Sequence, residues 1–218
     1  MACHYTIAIP TMTSKATIKK LSFLKRRPAA SASRGTSAII AKEKEPDHFM
    51  FNFVADDTKP VACKNRVNGF KLGSDFSGIS CESIACKALN LLTDNVFFCE
   101  KSKAARKIIQ QNHHPKMIQE DVATRNHLAT PQVDVFFCIF PCQSFSKAGK
   151  QGGVSDSRGL PLVEHSLEYI RLHPPKAIVF ENVASILQPK YIALVEYIKK
   201  ELEILNYVVH ERVSNVKD

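Results

Sequence analysis

A chain of 218 residues, 44% of them hydrophobic, is long enough to bury one proper core and short for two. No apolar run approaches the roughly 20 residues that a membrane-crossing helix needs, so no membrane partner is expected. Of the 30 Lys and Arg behind the net charge of +9, eight lie in residues 1–42, where there is no Asp or Glu, leaving 22 against 21 acidic residues elsewhere; strong phosphate binding would fall to that first segment or to something outside this chain.

Residues 1–42 are rich in Ser, Thr, Ala and Lys and show no sustained apolar period, so they are expected to form a basic disordered tail or a targeting segment. The stretch "SKATIKKLSFLKRRPAASASRGTSA" has the composition of an organelle transit peptide. Its "KKLSFLKRR" equally fits a nuclear localisation patch, and a solvated tail with no address is a third reading. Residues 43–68 read as a linker. Seven cysteines without a CxxC pair point to reduced thiols inside the cell and to no bound metal.

From residue 69 the pattern is regular. "KLGSDF" reads as a strand running into a Gly-containing turn, followed by a helix through Ile84, Ala85, Ala88 and Leu89. "NVFFCE" is a strand ending on an acid, and "KSKAARKIIQQN" a helix closed by "HHP". "VDVFFCIF" is a near-continuous apolar strand, "LVEHSLEYIRL" a helix and "KAIVFENV" another strand ending on an acid. "YIALVEYIKKELEIL" places Val195, Ile198, Leu202 and Leu205 on one helical stripe, and "YVVHERVS" is a last strand. Strands apolar on both faces, alternating with helices, predict a mostly parallel α/β sheet covered on both sides.

Polar residues fall at the ends of these strands, where open α/β folds place their chemistry. In "DFSGIS", residues 75–80, Gly78 lets a ligand approach the backbone, although the turn lacks the full GxGxxG pattern. Glu100 follows at the end of the next strand, placed for ribose hydroxyls or as an N-cap for a helix starting at Lys101. Asp121 in "QEDV" suits an adenine amine or a turn cap. Cys142 follows an apolar strand and Pro141 in "FFCIFPCQSFSKAG". It reads either as one more buried cysteine or as a nucleophile at the sheet's carboxyl edge.

"FPCQSFSKAG", with "ENV" 39 residues after its cysteine, resembles the cytosine-C5 DNA methyltransferase family. "DFSGIS", "CE", "EDV" and "DSRG" match further family motifs in order, and the likeness covers residues 70–218. The resemblance implies a Rossmann-like, S-adenosylmethionine-dependent fold, a partial catalytic domain at 69–218, and double-stranded DNA with a flipped cytosine as partner. It implies Cys142 as the nucleophile on cytosine C6, Glu181 as the group at N3, and Asn182 as a holder of the local backbone. Phe76, Gly78, Ile79, Glu100, Asp121, Val122 and Pro141 are the implied cofactor contacts, with Ser144 and Ser146 lining the loop over DNA.

Several positions depart from the family pattern. Ser80 stands where a second glycine is usual, Ile139 where a small residue precedes "FPC", and Asn206 where "LGY" is expected. The chain stops at Asp218, before a Gln-x-Arg-x-Arg motif and a target-recognition domain, so the fold is expected to be truncated at its C-terminus. Three readings follow: a DNA methyltransferase whose other half comes from a second chain or is lost, a non-catalytic module binding S-adenosylmethionine or a partner, and a transfer-RNA methyltransferase relative.

Overall fold

The computed structural model describes residues 2–11, 69–146, 152–153, 156 and 158–215. Its elements are β1 (Ala2–Pro10), β2 (Phe70–Asp75), α1 (Cys81–Ala88), β3 (Thr93–Cys99), α2 (Lys103–His113), β4 (Met117–Gln119), β5 (Val135–Cys138), α3 (Leu160–Leu172), β6 (Ala177–Val183), α4 (Ile192–Ile204) and β7 (Tyr207–Asn215). Short 3-10 turns at Cys142–Ser144 and Ala184–Leu187 follow β5 and β6. The strands form one seven-stranded sheet in the order β4-β3-β2-β5-β6-β1-β7. β4, β3, β2, β5 and β6 pair in parallel, as expected; β1 runs antiparallel to both of its neighbours.

Neighbouring side chains on a strand point to opposite faces, and the two cores follow from this. Phe98, with Phe70, Leu72 and Val135, packs with Cys86 of α1 and Ile109 of α2. Phe97, Phe136, Ile178 and Phe180 pack on the other face with Val163, Leu167 and Ile170 of α3 and Val195, Ile198 and Leu202 of α4. Of the expected α4 stripe, Leu205 lies just beyond the helix and is half-buried. α2 starts at its N-cap Ser102, whose side chain accepts from the Ala105 N–H at 3.3 Å, and ends where His114 turns left-handed at φ 45°. Helix capping there therefore belongs to Ser102 and not to Glu100.

Gly73 marks the tightest packing. A Cβ built there would lie 2.5 Å from the Phe97 ring, so the aromatic layer requires a bare backbone at this point of β2. Asn206, standing where a glycine is expected, adopts φ 65°, a left-handed conformation that asparagine tolerates. Its carbonyl accepts from the Thr11 N–H at 2.7 Å and from the Thr11 hydroxyl at 2.8 Å, tying the exit of β1 to the entrance of β7.

The N-terminal segment requires a correction. Ala2–Pro10, assigned to a basic tail on composition, is an interior strand of the sheet. Tyr5, Thr6, Ile7 and Ile9 are residues that suit a pleated surface, and pairing on both edges satisfies the strand's backbone. The rest of the expected tail, with its transit-like and nuclear-like stretches, and the whole 43–68 linker lie outside the described residues. "ENV" lies within β6, in line with the reading of "KAIVFENV" as a strand, and Glu181, Asn182 and Val183 pair with Tyr5, His4 and Cys3. Among the described residues no helix is long and apolar enough to cross a membrane.

Candidate active site

The turn after β2 is built from unusual backbone. Phe76, Gly78 and Ser80 have φ of 57°, 55° and 64°. Positive φ is uncommon for residues other than glycine, so this loop holds conformational strain. Ser80 shows how the position expected to carry a glycine is filled: its backbone adopts the glycine-like geometry. Its buried hydroxyl lies 2.9 Å from the Ser83 hydroxyl and donates to Glu82 Oε1 at 3.1 Å. A Cβ added at Gly78 would meet nothing within 4 Å, so this point of the loop faces open space. Phe76 is half-buried against the core, and Ile79 is exposed.

Glu100 joins that loop to the next strand end. One carboxylate oxygen accepts from the Gly78 N–H at 2.8 Å and the other from the Ser102 N–H at 2.7 Å. Asp121 accepts from Lys101 Nζ at 2.9 Å and from the Ala123 N–H at 3.0 Å. The ammonium of Lys101 holds its carboxyl below the usual range. Val122 is buried. The three strand-end segments expected to form a cofactor site are thus the carboxyl ends of β2, β3 and β4, side by side in the sheet.

Beneath the loop lies a feature that the sequence did not reveal. Asp75, fully buried, pairs with both terminal nitrogens of Arg125, one of them at 2.8 Å, and accepts from the Ser166 hydroxyl at 2.7 Å. The guanidinium lies over Phe97 and Tyr169, 5.6 and 5.2 Å from their ring centroids. A buried carboxylate needs such a partner, but 50 residues separate the pair and no local pattern links them.

The cysteine turn is held from the neighbouring strand. Pro141 precedes the 3-10 turn Cys142–Ser144, and the Phe145 and Ser146 N–H groups both donate to the Cys142 carbonyl, at 3.0 and 2.8 Å. Asn182 Nδ2 donates to the Phe140 carbonyl at 2.9 Å, while its Oδ1 accepts from the Val183 N–H at 2.9 Å. Ser185 donates to the Phe145 carbonyl at 2.9 Å. Asn182 of β6 and Ser185 of the 3-10 turn after it therefore grip the chain on either side of Cys142, which is half-buried. β5 and β6 pair in parallel with Cys138 opposite Phe180, so Glu181 and the cysteine turn leave adjacent strand ends. Ser144 is fully buried and does not line an open loop, whereas Ser146 is half-buried. Ile139 is half-buried and donates its N–H to the Asp75 carbonyl at 3.2 Å.

Cys99 and Cys138 are buried, whereas Cys142 is half-buried. Burial pushes the Cys99 thiol up to about 12 and that of Cys138 higher still. One further polar cluster, His127, His165 and Glu168, brings ligand atoms within 4.8 Å of one another. His127 Nδ1 accepts from Arg125 Nε at 3.1 Å, which leaves the ring proton on Nε2, facing Glu168 at 3.6 Å. His127 therefore presents a donor to that carboxylate.

A family model of C-5 cytosine-specific DNA methylases matches residues 70–218. Among curated relatives, the type II methyltransferase M.HhaI of Haemophilus parahaemolyticus is 28% identical over 70% of this chain and 42% of its own length. M.HaeII of Haemophilus aegyptius is 30% identical over 70% of this chain and 43% of its own. The chain thus spans less than half the length of these relatives. Among solved structures, the S. pombe Dnmt2 methyltransferase aligns with a TM-score of 0.48 and 18% identity, over 61% of this chain and 40% of that one.

Proposed function

The chain belongs to the family of C-5 cytosine-specific DNA methylases, and from that premise we propose that it transfers a methyl group from S-adenosylmethionine to C5 of cytosine in DNA, with Cys142 as the covalent nucleophile. The observation that carries this reading is the grip on the cysteine turn by Asn182 and Ser185. A turn fixed at both shoulders, at the carboxyl edge of a parallel sheet and beside Glu181, is a preorganised nucleophile mount.

Cytosine C5 is too weak a nucleophile to take a methyl group unaided. The Cys142 thiolate adds to C6 and forms an S–C6 bond, while Glu181 donates a proton or hydrogen bond at N3. The electron pair displaced from the C5–C6 double bond then makes C5 nucleophilic. After methylation, loss of the C5 proton restores the double bond and expels the thiolate, which divides one hard step into two easier ones. The base must leave the helical stack to reach Cys142.

S-adenosylmethionine would supply an electrophilic methyl group. The residues present fit it: the open space over Gly78 accommodates a ligand, and Glu100 offers oxygens for ribose hydroxyls beside it. Asp121 offers an acceptor for an adenine amine, and the same reading assigns Phe76, Ile79, Val122 and Pro141 to the cofactor's surroundings.

A duplex tritiated at cytosine C5 tests the reading. With the cofactor present, the wild-type chain is expected to release tritium to water and Cys142→Ser to release none; complete retention of label by the wild type would overturn it. The open space over Gly78 beside Glu100 also suits a second reading, in which the chain holds the cofactor without methylating DNA. That reading predicts cofactor binding without release of label.

A further inference from the structure

β1 lies outside the residues matched by the family model, yet it forms the wall beside Glu181. β1 and β6 pair antiparallel with Tyr5 opposite Glu181 and Cys3 opposite Val183. Directly opposed residues project to the same face with Cβ atoms about 4.5–5.5 Å apart. Cys3, two residues from Tyr5, shares that face and sits diagonally from Glu181. All three side chains are half-buried. The Cys3 thiol and the Tyr5 phenol therefore flank the Glu181 side chain on one face of the sheet. A thiol and a phenol both carry a hydrogen to donate, and a carboxylate has oxygens that accept.

We propose that Cys3 and Tyr5 are positioning residues for Glu181, so that the N-terminal strand completes the active site with a donor chain running Tyr5 to Cys3 to Glu181. The role of Glu181 in this inference rests on the function proposed above. A glutamate side chain loses about 1.5–2 kcal/mol of rotamer freedom when fixed, and a donor on one of its oxygens leaves the other free for the base. The cross-strand neighbours of this row are Val183 of β6, opposite Cys3, and Ser214 and Arg212 of β7, opposite Cys3 and Tyr5. His4 and Thr6 point to the other face, where His4 meets Glu211 at 3.1 Å. Burial and the nearby carboxylate both raise the Cys3 thiol above its ordinary value.

The contact is tested by alkylating the full chain with iodoacetamide across pH and following Cys3 by peptide mass spectrometry. Glu181→Gln removes a negative neighbour and is expected to move the Cys3 profile down by about half a pH unit or more. Tyr5→Phe removes a donor to the thiolate and is expected to move it up. The functional arm is tritium release, expected to slow about fivefold in Cys3→Ala, the loss of one hydrogen bond, and to recover in Cys3→Ser. A Cys3 profile unmoved by Glu181→Gln would overturn the proposal, as would Cys3→Ala releasing label at the wild-type rate. A wild-type chain that releases no label overturns the proposed function instead, and the Cys3–Glu181 contact then stands or falls on alkylation alone.

Discussion

Asn182 donates its Nδ2 hydrogen to the Phe140 carbonyl at 2.9 Å, joining the end of β6 to the chain two residues before Cys142. Both groups are buried, so the bond has no water to replace it. Asn182→Ala leaves the carbonyl unpaired and is expected to cost about 1–3 kcal/mol of stability in chemical denaturation. Asn182→Asp puts a carboxylate against that carbonyl and is expected to cost more. Where methyl transfer is measurable, displacement of the cysteine turn should lower it on the order of 100-fold.

Gly73→Ala tests the aromatic layer under the turn that follows β2. Its Cβ would sit 2.5 Å from Phe97, whose ring is locked between Phe136, at 6.2 Å, and Tyr169, at 5.1 Å. Overpacking of this kind costs about 1–3 kcal/mol, read as a lower midpoint in denaturant. A midpoint at or above wild type would mean that the layer is looser than it looks.

Arg125→Met tests the buried ion pair. It strands Asp75, which is fully buried, without its cation. Breaking one side of such a pair costs about 3–5 kcal/mol, whereas replacing both partners with apolar residues of similar volume is often neutral. Asp75→Leu combined with Arg125→Met should therefore recover most of the loss in thermal or denaturant unfolding.

Much of this arrangement was legible in the sequence. β3, β5 and β6 announce themselves as runs such as "NVFFC" and "AIVF", apolar on both faces because helices cover both sides. β1 was hidden because its buried face is His4, Thr6 and Ala8, small or polar residues that give no apolar alternation, and because a basic segment follows it. The three-residue β4 is too short to carry a period. Cys142, Glu181 and Asn182 could be read from local motifs. Arg125, Ser185 and Cys3 could not, because each acts on a group far away in the chain.

Glu82 gives a pH signature. Burial at the start of α1 raises its carboxyl above the usual range. The folded state then holds this proton more tightly than the unfolded one. Stability tied to it is complete below the unfolded value of about 4.3 and is lost as pH rises through the higher folded value. Glu82→Gln is expected to stabilise the protein at neutral pH and to lose that advantage towards pH 4, in urea titrations at both pH values.

The central claim, that Cys142 is a nucleophile mounted by the end of β6, is tested most directly by covalent capture. The wild-type chain, S-adenosylmethionine and a duplex containing 5-fluorocytosine are expected to give an adduct at Cys142 by intact and peptide mass spectrometry, because fluorine at C5 blocks the step that releases the thiolate. Cys142→Ser should give none. An adduct at another cysteine, or none on a chain shown to bind the cofactor and DNA, would contradict it.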